Sequence, residues 1–159
     1  MPKDMPDDAV LARVGEICAE LVALEGPLLP IFHAVQSEFG HVPQAALPVI
    51  AEAVNISRAE AHGVMSFYHD FREEPAGTHV LKICRAEACK SMGADALADA
   101  ARDKLGVDWH GTTGNGAVTL EPVYCLGLCA CGPAAMIDDQ VVGRVDVDKL
   151  DQIIKEAGA

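Results

Sequence analysis

The chain has 159 residues, half of them hydrophobic, and 24 acidic side chains against 12 Lys and Arg, which gives a net charge of −12. This charge argues against nucleic acid and anionic membranes as partners, because both require a basic surface. No apolar run approaches the roughly 20 residues that cross a bilayer. The acidic start MPKDMPDDAV lacks the basic residues and apolar core of a signal peptide, so we expect a cytoplasmic protein.

The first half of the chain has the hydrophobic spacing of helices. Apolar residues recur on one helical face from Val10 to Val22, and a Gly-Pro step at Gly26 marks the end of one helix and the start of the next. This second helix is predicted to end near Gly40. Acidic residues dominate the region, since residues 1–76 contain 12 acidic and 4 basic side chains. One interpretation of the excess is solubility, and another is a partner with a basic surface.

Two further helices are predicted before the character of the sequence changes. The third begins at Pro43, and Pro48 inside it predicts either a kink or a late start. The fourth begins at the capping box Ser57-Arg-Ala-Glu60 and runs toward Phe67. Residues 73–77 then have the Pro and Gly content of a linker. The sequence therefore predicts a helical segment over residues 1–76.

The second half of the chain mixes strand and helix patterns. The predicted elements are a strand over 78–83, a helix over 91–105, a strand over 117–123, two short hairpin strands over 134–138 and 141–145, and a helix over 146–157. With the hairpin written as one element, this β-α-β-β-α order is typical of a small sheet covered by helices, here over residues 77–159. Together with the helical first half, it predicts the α+β fold class.

The cysteines suggest the chemistry of the second half. Cys84-x4-Cys89 follows the first predicted strand, and Cys125-x3-Cys129 follows the second. If these strands are neighbours, both pairs lie at the same end of the sheet and their thiolates converge. Soft thiolates select zinc, iron–sulfur clusters or copper(I). In a reducing compartment, such a pattern favours metal or redox chemistry over disulfides.

The spacing alone leaves three interpretations open. A [2Fe-2S] centre has two irons that each take two thiolates, so it accepts two separate pairs. Structural zinc uses closer knuckles, which these pairs match only loosely. The third interpretation is unliganded or disulfide-bonded cysteines. The plant ferredoxin pattern requires a cysteine where Met92 stands, and His79 and His110 have the wrong spacing for a Rieske centre.

The residues around the four cysteines supply secondary expectations. We interpret Cys131 as a buried neighbour of the ligand Cys129, and Cys18 as a small core residue. Glycines allow backbone amides to approach sulfur, and a helix N-terminus near Ser91 would act in the same direction. The glycines concerned are Gly93, Gly127 and Gly132.

Two cysteine motifs carry a family resemblance. Cys84-Arg-Ala-Glu-Ala-Cys89 and Cys125-Leu-Gly-Leu-Cys129-Ala-Cys-Gly-Pro133 resemble the thioredoxin-like [2Fe-2S] subunit family, and Gly40-His-Val-Pro43 and Gly63-Val-Met-Ser-Phe67-Tyr-His-Asp-Phe71 resemble its helical region. This family includes the 24 kDa subunit of NADH dehydrogenase and matching subunits of NAD-reducing hydrogenases and formate dehydrogenases. The resemblance implies a thioredoxin-like domain after the helices. It also implies one [2Fe-2S] cluster on Cys84, Cys89, Cys125 and Cys129.

Within the family, the Phe67–Arg72 run and the presence of Cys131 most resemble the gamma subunit of soluble NAD-dependent formate dehydrogenase. The resemblance then implies an electron-transfer subunit near the flavin of a partner. FMN, NAD, a molybdenum cofactor and further iron–sulfur clusters would lie on partner subunits, which agrees with the lack of a G-x-G-x-x-G motif in this chain. The subunits of respiratory NADH:quinone oxidoreductase and of NAD-reducing hydrogenase are the alternatives.

Two other classes of protein are alternatives to an electron-transfer subunit. A zinc-stabilised adaptor would use the same four cysteines, whereas a thiol enzyme would need a C-x-x-C motif that the chain lacks. On the electron-transfer interpretation, the helical segment 1–76 is a docking element for the flavin subunit. Phe67, Tyr68 and Phe71 are then either anchors of that interface or core residues.

Overall fold

The computed structural model describes residues 7–159. The first six residues of the predicted segment 1–76, including most of the acidic start used to argue against a signal peptide, lie outside them. The chain divides into two compact units with the boundary between Pro75 and Ala76. Within residues 7–159, no helix combines the length and apolarity required to cross a membrane.

The first unit is helical. Its elements are α1 (Asp7–Leu21), α2 (Leu28–Phe39), a 3₁₀ turn (Gln44–Ala46), α3 (Leu47–Ala53) and α4 (Arg58–Phe67). Gly40 ends α2 with φ 78°, a conformation that glycine adopts without steric cost. Pro48 lies in the first turn of α3, where its missing N–H has no helical partner to lose. The late start that Pro48 predicts is therefore confirmed.

A single apolar core holds the four helices of the first unit together. Cys18 is 2% exposed within it, as expected for a small core residue. Burying one large aliphatic or aromatic side chain contributes about 1.5–3 kcal/mol, so the core outweighs any individual cap or turn. Its largest fully buried side chains are Phe32, Ile31, Leu47, Ile50, Met65, Val14, Val35 and Val42.

The segment after α4 is attached to α2 at two points. The Gln36 side chain donates to the Asp70 carbonyl (2.6 Å) and accepts from the Arg72 N–H (2.7 Å). The Phe71 ring inserts beside Phe32, with centroids 5.3 Å apart. Phe71 is 9% exposed and belongs to the core. The sequence leaves Phe67, Tyr68 and Phe71 as either interface anchors or core residues, and the structure makes Phe71 a core residue.

The second unit contains four strands and three helices. They are β1 (His79–Cys84), α5 (Glu87–Ser91), α6 (Ala94–Leu105), β2 (Val118–Val123), β3 (Ala135–Ile137), β4 (Gln140–Val142) and α7 (Val147–Glu156). The sheet has the order β2-β1-β3-β4. β1 is parallel to β2 and antiparallel to β3, which pairs with β4 as a hairpin. The predicted α+β class is confirmed.

Two details of the predicted second unit are wrong. The helix expected over 91–105 is two helices, because Gly93 has φ 98° and separates α5 from α6. The two hairpin strands, which the β-α-β-β-α order writes as one element, are both present but shorter than predicted.

Candidate metal centre

Parallel pairing of β1 with β2 determines where the candidate ligands lie. Cys84 is the last residue of β1 and is in register with Val123, the last residue of β2. Cys125 follows two residues later. The carboxyl ends of neighbouring parallel strands meet at one edge of a sheet, so both cysteine motifs emerge there. Cys89 then lies on α5, and Cys129 begins a 3₁₀ turn over Cys129–Cys131.

The four thiols form two pairs with different exposure. The sulfur atoms of Cys125 and Cys129 are 3.7 Å apart, and both residues are exposed. Cys84 and Cys89 are 1% and 2% exposed and hydrogen-bond to each other through their thiols. Within residues 7–159, no three or more His, Cys, Asp or Glu side chains converge on the position of a single metal ion, so the thiols are arranged as two pairs.

Backbone amides point at the sulfur atoms. Gly127 donates its N–H to the Cys125 sulfur (3.4 Å), as its position in the motif predicts. The Cys84 sulfur accepts from the backbone of Ala86, Cys125 and Leu126, and the Cys89 sulfur from Ala134. Sequence analysis missed these last donors, because an amide N–H belongs to every residue except proline and leaves no signature in the sequence.

The predicted helix N-terminus near Ser91 is wrong. Ser91 is the last residue of α5, which begins at Glu87. Gly93 precedes α6 and has open space where a side chain would be. Gly132 does lie against the site: a Cβ added to it would be 3.3 Å from the Cys89 Cα and 3.4 Å from its sulfur.

The backbone of Cys125 is strained. Its φ of 107° lies in a region that non-glycine residues rarely adopt. Such conformations cost about 1–3 kcal/mol and cluster at functional sites. Here the Cys125 N–H bonds to the Cys84 sulfur while its own sulfur faces Cys129. One residue therefore links the two thiol pairs.

Burial and hydrogen bonding act in opposite directions on the buried pair. Burial raises the pKa of the Cys84 thiol, but the amide donors and the Cys89 thiol outweigh it, so the pKa is lowered. Burial raises the pKa of Cys89, and the neighbouring Cys84 raises it further. Cys129 also has a raised pKa, caused first by its hydrogen bond with Cys125. The charges of Cys84 and Cys129 both act on Cys89, so the two pairs are electrostatically connected.

Cys131 differs from its neighbour Cys129. It is half-buried, and its carbonyl accepts from the Arg144 N–H (2.6 Å). A Cβ added to Gly143 would be 2.9 Å from the Cys131 Cβ and 3.0 Å from its carbonyl oxygen. The Cys129–Cys131 turn therefore lies directly against Gly143, at the end of the β3–β4 hairpin.

The donor set fits an iron–sulfur centre. It contains thiols in two pairs, and a two-iron cluster takes two thiolates on each iron. The amide N–H groups stabilise the negative charge of such a cluster and tune its potential. His79 begins β1, at the opposite end of the strand from Cys84, and pairs with Asp138 (2.8 Å), while His110 pairs with Glu121.

Comparison with known proteins supports this chemistry. The family model of the thioredoxin-like [2Fe-2S] ferredoxin matches residues 14–158. The NADP-reducing hydrogenase subunit HndA of Solidesulfovibrio fructosivorans is 30% identical over 96% of this chain and 92% of its own length. A subunit of the NADH-quinone oxidoreductase of Pseudomonas aeruginosa is 35% identical over 76% of this chain and 73% of its own length.

The fold has a counterpart among solved structures. A chain of the NAD+-reducing [NiFe]-hydrogenase in its air-oxidized state superposes on 82% of this chain with a TM-score of 0.70 and 22% identity. The present chain spans 22% of that protein chain, and at 22% sequence identity the likeness concerns the fold alone.

Sheet topology, paired thiols and the match over residues 14–158 define a small iron–sulfur protein. The chain belongs to the thioredoxin-like [2Fe-2S] ferredoxin family, and the resemblance found in its cysteine motifs is confirmed. This membership supports one [2Fe-2S] cluster for the chain.

Proposed function

We propose that the chain is an electron-transfer subunit of a multisubunit NAD-linked oxidoreductase. The observation that carries this proposal is the pairing of four cysteines at one edge of a thioredoxin-like sheet. The proposed cluster ligands are Cys84, Cys89, Cys125 and Cys129. When bound, a [2Fe-2S] cluster accepts and returns one electron at a time.

The exposed side of the site is suited to electron exchange with a partner. Cys125 and Cys129 lie at the surface, whereas Cys84 and Cys89 are enclosed by protein. Tyr124 is 74% exposed immediately before the second motif, and an aromatic side chain at such a position suits a protein interface. We propose that a flavin-bearing partner approaches from this side, because a flavin divides two-electron hydride chemistry into single electrons.

The names of the relatives favour two kinds of assembly. One relative is a subunit of an NADP-reducing hydrogenase and the other of an NADH-quinone oxidoreductase. Both support our alternatives better than the formate dehydrogenase to which the sequence motifs point. We therefore place an NADH-quinone or hydrogenase-type assembly first, with FMN and NAD bound by partner subunits of a complex in the cytoplasm.

Formate dehydrogenase remains the second candidate. The Phe67–Arg72 run and Cys131 favour it through the motif resemblance. In this case a molybdenum-containing subunit would oxidise formate and a flavin subunit would reduce NAD⁺. In either assembly, we propose that residues 1–76 dock the chain to its flavin partner and that residues 77–159 hold the cluster.

Metal analysis of the chain expressed alone and purified without oxygen tests the cluster. We expect a brown protein with about two irons and two sulfides per chain and a one-electron EPR signal after reduction. The Cys125→Ser variant should lose the colour, whereas Cys18→Ser, in the other unit, should keep it. A colourless protein that holds about one zinc would instead support the zinc-stabilised adaptor.

Turnover of the assembled complex identifies the reaction. The complex would be purified from the native cells through a tag on this chain and supplied with NADH and quinone, with hydrogen, or with formate. Reduction of quinone by NADH or of NAD(P)⁺ by hydrogen would support the first candidate, and formate-dependent NAD⁺ reduction the second. A Cys89→Ser complex that keeps its flavin and its full rate would show that the cluster is not in the main electron path.

A further inference from the structure

An exposed aromatic pair lies at the end of α4 in the first unit. Phe67 is 73% exposed and Tyr68 is 44% exposed, and their rings meet edge to face with centroids 5.3 Å apart. Large aromatic side chains are usually withdrawn from water, and side chains of this kind are enriched at the centres of interfaces. A lone exposed apolar residue needs no explanation, but two in contact form a patch.

The aromatic pair is held in a fixed position. Tyr68 contacts Phe71 (6.1 Å between centroids), and Phe71 is inserted into the core beside Phe32 and His33. The two hydrogen bonds of Gln36 hold the backbone immediately after Tyr68. A prepositioned anchor loses little conformational freedom when it binds, which improves affinity.

Acidic residues follow the aromatic pair closely in the sequence. Asp70, Glu73 and Glu74 follow it within a few residues and accompany a single Arg72. Glu73 is further fixed by Gln44 (2.7 Å) and lies 3.6 Å from His62. The region 1–76 as a whole has a net charge of −8. An apolar patch on an acidic segment is complementary to an apolar pocket in a basic surface.

We propose that Phe67 and Tyr68 anchor the flavin-bearing partner subunit, in a partner pocket that is apolar at its base and lined by Lys and Arg at its rim. This inference rests on the proposed function and names the residues by which the helical segment would dock. A second copy of this chain is disfavoured as the occupant, because two chains of charge −12 repel each other.

The anchor is tested by purifying the tagged chain from native cells without oxygen and measuring how much flavin stays bound to it. The measured quantity is the ratio of FMN to [2Fe-2S] cluster. We expect the Phe67→Ser/Tyr68→Ser variant to lose this FMN about tenfold or more, since truncation of a hot-spot residue costs about 2 kcal/mol or more. Its cluster absorption should be unchanged, because the cluster lies in the other unit.

Matched variants make the result specific. Val22→Ser/Leu24→Ser removes two apolar side chains that are also about half exposed in the same unit, and it should keep the wild-type FMN ratio. Phe67→Ser alone removes the more exposed ring without touching Phe71, so it should fold normally and still lose FMN. Raising the salt concentration should weaken flavin retention, because the proposed rim contacts are ionic.

Three results would contradict the proposed anchor. If wild type and the double variant retain flavin equally, or if the Val22/Leu24 control loses it to the same extent, the anchor is wrong while the proposed function stands. If wild-type chain retains no flavin, the proposed function fails and the anchor with it. If light scattering shows a dimer of this chain that only the aromatic substitutions dissociate, the patch serves self-association and the anchor is overturned.

Discussion

Cys129 and Cys131 lie one residue apart in the same turn but have different surroundings. Cys129 is exposed with its sulfur 3.7 Å from that of Cys125, whereas Cys131 is half-buried against Gly143. Sequence spacing favours Cys129 as the ligand, and this assignment stays a prediction. The strained φ of Cys125 and the amide donors other than Gly127 could not be foreseen, because they depend on loop conformation.

Substitution of these two cysteines should have unequal effects. We expect Cys131→Ser to keep the visible spectrum and the EPR signal, because its sulfur is not one of the paired thiols. Cys129→Ser should lose most of the cluster, since an alkoxide is a poor replacement for a soft thiolate. Iron and sulfide analysis of both proteins checks this, and equal loss from both would assign Cys131 to the ligand set.

Two glycine substitutions should change stability in opposite directions. A Cβ at Gly143 would be 2.9 Å from the Cβ of Cys131, so Gly143→Ala should destabilise the protein by about 1–3 kcal/mol. Gly63 lies within α4 with open space around it, and Gly63→Ala should stabilise by about 0.5–1 kcal/mol. Urea unfolding followed by circular dichroism measures both, and equal midpoints would contradict the contact at Gly143.

The helices differ in how far their ends could be foreseen. The end of α2 at Gly40 and the start of α4 at Ser57 follow from local chemistry, and both match the structure. The break between α5 and α6 was missed because Ser91 and Met92 are compatible with a helix, and only the positive φ of Gly93 interrupts it. A single glycine in an alanine-rich run does not reveal which conformation it takes.

The capping box of α4 should make stability depend on pH. The backbone N–H of Ser57 and then its hydroxyl lower the pKa of the Glu60 carboxyl. A lowered pKa means that the contribution is present above the unfolded-state pKa of about 4.3 and is lost as the pH falls through the folded value. Glu60→Gln should thus be less stable than wild type near pH 7, and the difference should shrink in acid.

The Ser57→Ala variant tests the other half of the same box. Loss of the hydroxyl that accepts from the Glu60 N–H should cost about 0.5–2 kcal/mol. Thermal unfolding near neutral pH measures the loss. Ser66→Ala is the matched control, because Ser66 is exposed in the last turn of the same helix. Equal losses from the two variants would show that the capping box adds nothing.

The whole molecule consists of two units with separate cores. The composition change near residue 76 lies close to this division. All candidate ligands and the sheet that aligns them lie in the second unit. The sequence could not supply the parallel register of β1 with β2, which depends on contacts between segments some 40 residues apart.

The second unit should therefore bind its cluster without the first. We expect residues 76–159, expressed alone, to give the same visible and EPR spectra per iron as the full chain. The same fragment with Cys125→Ser should be colourless, which controls for adventitious iron. A fragment that fails to fold, or folds without binding iron, would mean that the helical unit contributes to the site.

The parallel pairing of β1 with β2 also determines when the site can first exist during synthesis. A ribosome adds about 5–20 residues per second, so Cys129 is made some seconds after Cys84. During that interval the nascent chain offers one pair of thiols, which is half of what two irons require. α7, which completes the core around Leu150, is made later still. If these four cysteines are the ligands, we expect cluster loading to follow translation, so that the cell's iron and sulfide supply acts on a finished sheet.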